Sequence, residues 1–307
     1  MSSLVDQVSG TIPISNRAYT YIRSMAIQTP LDAMVEMLTN ADDAFQVLKA
    51  NLAAEGKTHV PDADGDIYID FLQPYTIRII DHAIGMSAQD MVLKLLQVGD
   101  YTASDTSRGF FSRGAKDISA LGDVTFCSIK DGKYSESKIF YSTEMKLLHE
   151  DVPATAAHYA MFSMAAPHNG FIIKLEVREE HTKMTSMEAY AQFKKHFAVR
   201  DIFADTSINI TARAHLPDGT VYFSERIQYS YPEHVEPYWV QKTFRVPGYP
   251  ENAVATLTLY EATEAIEESL NEKTLEHGIL ISSSGRTNHQ VSFFNDAFRG
   301  DPSFSFV

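Results

Sequence analysis

Residues 29–53 constrain the fold more tightly than any other stretch. Thr29-Pro30 reads as a helix start: threonine suits the N-cap, proline the first helical position, and Asp32 puts negative charge in the first turn. Leu31, Met34, Leu38, Ala41, Phe45 and Leu48 then recur at three- and four-residue spacing, so a helix running to about Ala53 carries one buried stripe. Roughly opposite lie Glu36, Asn40 and Asp43, at i, i+4 and i+7. At about 100° per residue they fall within about 60° of one another. A carboxylate, a carboxamide and a second carboxylate are therefore lined up on one face. Taken alone, the same line also describes a solvated helix face.

The remaining chain alternates helical and strand patterns. Residues 16–28 read as a short amphipathic helix and 55–66 as a loop. IYIDFL and TIRIID are strands, followed by the turn DHAIGM and a helix from Ser87 to Val98. Residues 99–114 lack clean periodicity, carry three glycines and read as a mobile loop; a helix from Ala115 to Leu121 follows. DVTFCSI, an Asp131-Gly132 turn, SKIFYST and FIIKLEV form a β-rich block. MTSMEAYAQFKKHFAVRDIF reads as one helix, and INITARAHL with TVYFSERI as a hairpin. Near residue 235 the composition shifts: Pro237, Pro247, Gly248 and Pro250 punctuate, then ATLTLYEA and HGILISSSG read as strands. The expected domains are 1–235 and 236–307. Tyr238 and Trp239 are expected to pack at the junction, and 260–272 to form an acidic helix with a solvated face.

Composition excludes several function classes. Hydrophobic residues at 44% and charged residues at 21% describe an ordinary soluble globular protein, and 307 residues suffice for about two domains. A net charge of −14 does not attract nucleic acid over the whole surface. DNA contact would need a local basic patch or a region outside this chain. Cys127 is the one cysteine, so an intramolecular disulfide is impossible; in its strand it reads as a small buried hydrophobe. CxxC and HExxH spacings are missing and the eleven histidines are scattered, so His181, His196 and His215 read as surface or core residues rather than zinc ligands. The N-terminus MSSLVDQVSGTIPIS has neither a basic segment nor a continuous apolar one, and no apolar run reaches about 18 residues. A cytoplasmic protein that does not span a membrane is expected.

Two further features bear on chemistry. Asp81 closes the strand TIRIID ahead of the small-residue turn His82-Ala83-Ile84-Gly85-Met86, which leaves a carboxylate at the sheet edge. Such a carboxylate can accept a hydrogen bond from an exocyclic amine such as that of adenine; a plain Asp-initiated turn has the same sequence signature. Gly109 and Gly114 flank FFSR, Gly114 opens a helix, and Lys116 lies in its first turn. Glycine lets backbone N–H groups approach an anion, and helix N-termini favour phosphate. A flexible surface loop also carries such glycines.

The order of these features resembles the GHKL superfamily, the group of DNA gyrase B, the large heat-shock chaperone, sensor histidine kinases and MutL. Glu36, Asn40, Ala41, Asp43 and Ala44 match its first motif; Asp81, Ile84, Gly85 and Met86 match the second; SRGAKDISALGDV, with Arg113 and Gly114 in register, matches the MutL-type glycine loop and helix. The resemblance covers about residues 15–180. ILISSSGRTNHQVSFFNDAF is similar to the strand and Arg-containing turn of the transducer domain in MutL and MORC-type ATPases, which favours the MutL, MORC, gyrase and heat-shock branch.

The resemblance implies an α+β fold: a Bergerat-type α/β sandwich, a mixed sheet covered by helices on one face, followed by part or all of a transducer-like α/β domain. It implies that Asp81 accepts the adenine amino group, Met86 packs near the base and Asn40 ligates Mg²⁺. Glu36 would be the general base for the attacking water. Asp43, Gly85, Gly109, Arg113, Gly114, Ala115 and Lys116 would complete the ATP site. A slow ATPase switch follows, with lid closure driving homodimerisation, as part of a DNA-associated or defence system or with a partner protein. A module that binds ATP without productive hydrolysis, and a chaperone-like ATPase acting on proteins, are the alternatives. This chain departs from the pattern at four places. Ala83 replaces a glycine, which is tolerated if φ stays negative. Phe171 stands where a threonine often follows a glycine, no lysine precedes Arg108 in the lid, and no lysine follows Arg286.

Overall fold

The cap expected at Thr29 forms in full in the computed structural model, which describes residues 16–73, 75–96, 114–182, 186–235, 240–245, 254–261, 263, 278–283, 286–291 and 304–306. After α1 (Asn16–Ala26), α2 (Pro30–Ala54) starts with the Asp32 N–H donating to Thr29 Oγ1 at 3.2 Å and the Thr29 N–H donating to Asp32 Oδ2 at 3.0 Å. Such a reciprocal cap satisfies two otherwise orphaned donors. Leu31, Met34, Leu38, Ala41 and Phe45 are buried as the stripe requires, joined by Ala33 and Met37.

The stripe lies on an eight-stranded sheet. Its strands are β1 (Ile67–Leu72), β2 (Thr76–Asp81), β3 (Gly122–Lys130), β4 (Lys133–Ile139), β5 (Met145–Pro153), β6 (Gly170–Val177), β7 (Ile210–His215) and β8 (Val221–Ile227). The spatial order is β5-β4-β3-β6-β2-β1-β7-β8. β1 and β7 run parallel and the other neighbours antiparallel, so the sheet is mixed. Side chains alternate between faces along each strand. Ile67, Ile69 and Phe71, Ile77 and Ile79, Val124 and Phe126, and Ile173 and Leu175 enter one core with the α2 stripe. This is the front face. α6 (Ser186–Lys195) and α7 (Phe197–Ala204) complete its cover, with Phe193 edge-on to Phe203 at 5.5 Å between ring centres.

Four differences from the sequence reading have local causes. The helix expected over 184–203 divides at His196, whose extended backbone and ring acceptor cap α7 through the Ala198 N–H at 3.2 Å; both halves then bury an aromatic ring. β4 begins at Lys133 rather than Ser137, because the Asp131-Gly132 turn, with φ of 51° and 75°, pairs Lys130 with Lys133 at once. The helix expected over 115–121 starts as α4 (Gly114–Asp117) and tightens into a 3-10 turn at Ile118–Ala120. β5 was not expected at all: it is an edge strand with mostly exposed side chains, so it shows no apolar alternation. Its Asp151 accepts the Ala88 N–H at 3.1 Å and so caps α3 (Ala88–Leu96).

The helices are not confined to one face. α5 (Ala156–Met161) covers part of the back, where Tyr159 and Phe162 pack with Tyr68, Ile80, Cys127, Ile129, Tyr134 and Ile172. The neighbouring back-face region is charged: Asp70 accepts from Arg78 Nε at 2.9 Å and Arg213 Nε at 2.7 Å.

A second, five-stranded sheet comprises β9 (Val240–Arg245), β10 (Val254–Glu261), β11 (Gly278–Ser283), β12 (Arg286–Val291) and β13 (Phe304–Phe306), in the order β12-β11-β13-β10-β9. Strand β12 lies beside α7. Tyr260 and Glu261, expected to open an acidic helix, belong to β10; residues 264–272 lie outside the described residues, as do Tyr238 and Trp239. Among the described residues, no helix is long and apolar enough to cross a membrane.

Candidate functional site

The polar line of α2 survives folding as a half-buried edge rather than a solvated face: Glu36, Asn40 and Asp43 are all of intermediate exposure. Asn40 Nδ2 donates to the Glu36 backbone oxygen at 2.6 Å and to Glu36 Oε1 at 3.0 Å. Both bonds use the amide nitrogen. The carboxamide oxygen is left as the atom with lone pairs to offer, which is what a hard cation would require.

Gly114, the first residue of α4, rests directly against the Glu36 carboxylate. A Cβ built there would lie 1.6 Å from Glu36 Oε1 and 2.7 Å from Oε2. The first and third motifs, far apart in sequence, are thus in contact, and a side chain at position 114 would displace the Glu36 carboxylate. Ala115 packs against the main core, and Lys116 and Asp117 are buried. From α1, Arg23 Nη1 donates to Ser119 Oγ at 2.9 Å and to its carbonyl at 3.1 Å, holding the 3-10 turn after α4 in place.

Asp81 ends β2, over which α2 packs, and by strand alternation it faces the helices like Ile77 and Ile79. It is 3% exposed. Its carboxylate accepts the Ala83 N–H at 3.0 Å, and the Phe171 N–H is a second backbone donor. No cationic side chain pairs with it among the described residues. Burial therefore dominates, and the two N–H groups only partly offset it: the carboxyl is pushed up to about 7.

The turn after Asp81 packs against the backbone of the paired strands β3 and β6. Gly85 has φ of 61°, and a Cβ there would meet the Ile129 carbonyl oxygen at 2.2 Å and that of Gly170 at 3.3 Å. Ala83 is not among the residues with positive φ, so alanine fits where the family pattern has glycine. Phe171 stands directly across from Asp81 in the β2–β6 register, with its ring in the front core. Met86 is half-buried against the same core.

Gly109 and Arg113, both expected in the ATP site, lie outside the described residues. Two residues that the motif reading passed over hold the turn. Ser128 on β3 bonds both backbone groups of Met86, and His82 Nε2 lies 2.7 Å from the Phe162 carbonyl oxygen. Ser128 was visible as a polar residue at an inward position after Val124 and Phe126. His82 carried no comparable signal. No cluster of three or more His, Cys, Asp or Glu side chains suited to a metal exists among the described residues. No protein-family model matches the chain, and no curated protein matches it.

Proposed function

We propose that the chain binds ATP with Mg²⁺ between α2, the turn after β2 and α4, and hydrolyses it slowly as a conformational switch. The observation that carries this reading is Asp81: a buried carboxylate, held by two backbone N–H groups and no cation, at the end of a strand against which α2 packs. In its ionised form this carboxyl is an acceptor only and, in a dry site, selects a ligand that donates. The amino group of adenine does so and the carbonyl at the same position of guanine does not.

Met86 would then pack beside the base. Gly114 and Lys116 would meet the phosphates, where the missing Cβ lets backbone approach closely. Asn40 would offer its carboxamide oxygen to Mg²⁺. The metal, when bound, neutralises phosphate charge and keeps several of its own waters. Glu36 would orient the attacking water and take its proton, the task of a carboxylate within hydrogen-bond reach. Asn40 holds one Glu36 oxygen at 3.0 Å, which fixes how the carboxylate is turned on α2. Homodimerisation on lid closure and a role beside DNA or a client protein enter this proposal through the family resemblance alone.

Nucleotide binding to wild type and Asp81→Asn tests the pocket. Asparagine presents an amide N–H₂ beside the acceptor, and ATP affinity is expected to fall at least about tenfold, the worth of one good buried polar contact. Equal affinity removes the assignment. Glu36→Ala is expected to keep ATP binding and lose Mg²⁺-dependent turnover. If turnover in the variant equals that of wild type, the protein is an ATP-binding module and not an ATPase.

A further inference from the structure

We propose that Ser128 is a positioning residue for the base half of this site, acting through Met86; the inference rests on the ATP reading above. Ser128 lies on the core-facing side of β3 and is completely buried. A hydroxyl at such a position, in line with Val124 and Phe126, has to be satisfied locally. It is satisfied by one residue: the Met86 N–H donates to Ser128 Oγ at 2.6 Å, and Oγ donates to the Met86 carbonyl at 2.8 Å. The Gly170 carbonyl is at 3.5 Å, the outer limit of a bond.

The preceding residue shows why the clamp matters. Gly85 is pressed against the backbone of β3 and β6 and offers no side chain to fix the turn there. The turn is pinned at four points: the His82 N–H on the Asp66 carbonyl, the His82 ring on the Phe162 carbonyl, Ala83 on the Asp81 carboxylate, and Met86 on Ser128. The first three set the Asp81 end and the fourth sets the Met86 end. Removing the hydroxyl leaves the Asp81 carboxylate held by its own N–H donors, while both polar groups of Met86 lose their partner. The defect should therefore appear in recognition of the base and not of the phosphates.

ATP and inorganic tripolyphosphate, each measured by competition against one fluorescent nucleotide, separate the two. Ser128→Ala is expected to weaken ATP about tenfold, the effect of one lost buried hydrogen bond, and leave tripolyphosphate unchanged. Faster hydrogen exchange of the Met86 amide should accompany the loss. Equal weakening of both ligands would mean a structural role only, and unchanged ATP affinity with accelerated Met86 exchange would mean that the clamp does not serve the base; either overturns the proposal. If Ser128→Ala does not fold, Ser128→Cys, with a longer and weaker hydrogen-bonding group, decides by the same comparison. Asp81→Asn separates this failure from that of the pocket. If Asp81→Asn loses ATP and Ser128→Ala does not, the pocket stands and the clamp falls. If Asp81→Asn binds ATP like wild type, both fall.

Discussion

Asp70 and Asp81 are buried aspartates on adjacent antiparallel strands, and their surroundings drive them in opposite directions. Asp70, on the back face, is fully buried among Arg213 (Nε at 2.7 Å, Nη2 at 3.0 Å), Arg78 and His215 Nε2 at 3.1 Å. Burial pushes its carboxyl up, but these partners outweigh it and hold the group below its ordinary value. Arg213 also stacks over the Tyr68 ring at 3.8 Å, so the network is braced against the sheet. Asp81, on the front face, has two backbone donors and no cation, and burial raises it to about 7. The same residue type at nearly the same depth is thus spent on structure in one place and left with acceptor capacity in the other. Fully paired buried ions hold a fold together; an incompletely paired one is where a ligand can add a bond.

The comparison breaks most visibly at Arg213. Arg213→Ala leaves Asp70 buried with fewer partners and should cost about 3 kcal/mol of stability, the low end for breaking a buried ion pair because Arg78 remains. Chemical denaturation reads this directly, and a loss under about 1 kcal/mol would show that Arg78 and His215 satisfy Asp70 without it. Gly85→Ala tests the front face next. The side chain meets a backbone oxygen at a positive φ, so a loss of about 1–3 kcal/mol is expected and, under the ATP proposal, weakened ATP binding with it. A stable variant with normal binding would mean that the turn has room to move and that its geometry does not define a site.

The effect most diagnostic in sign belongs to Asp81→Asn. Unfolded, Asp81 loses its proton near the ordinary value of 3.8; folded, it keeps it to about 7. The folded state therefore binds more protons between these values, and this group's contribution makes stability fall as pH rises across that window. Asp70 behaves oppositely: its contribution is present above the ordinary aspartate range and is lost as pH falls through its lowered folded value. Asp81→Asn should raise Tm by a few degrees at pH 8 relative to wild type, with the gain shrinking towards pH 4. A gain independent of pH would mean that Asp81 is ionised in the folded protein and resembles Asp70 after all.

Much of the front face was legible beforehand. Thr29-Pro30-Leu31-Asp32 encodes its own cap, the α2 stripe encodes its own buried side, and the short, largely apolar run Ile67–Leu72 and the alternation at the start of Thr76–Asp81 mark both strands. Local physics suffices there, because capping and period depend on residues within a turn or two. β5 and α5 were not legible. β5 lies exposed at a sheet edge, and α5 is six residues long, too short for helical periodicity to show.

For the site the division is similar. The chain by itself determined which side of α2 is polar, that a carboxylate closes β2, and that a glycine precedes Lys116 by two positions. Tertiary structure alone decided that Gly114 touches Glu36, that Ser128 clamps Met86, and that Asp70 rather than Asp81 meets the arginines. The reason is physical. Which face a side chain takes is set by neighbours along the chain, whereas the charge state and partners of a buried group are set by what packs across from it, and those residues come from strands and helices distant in sequence.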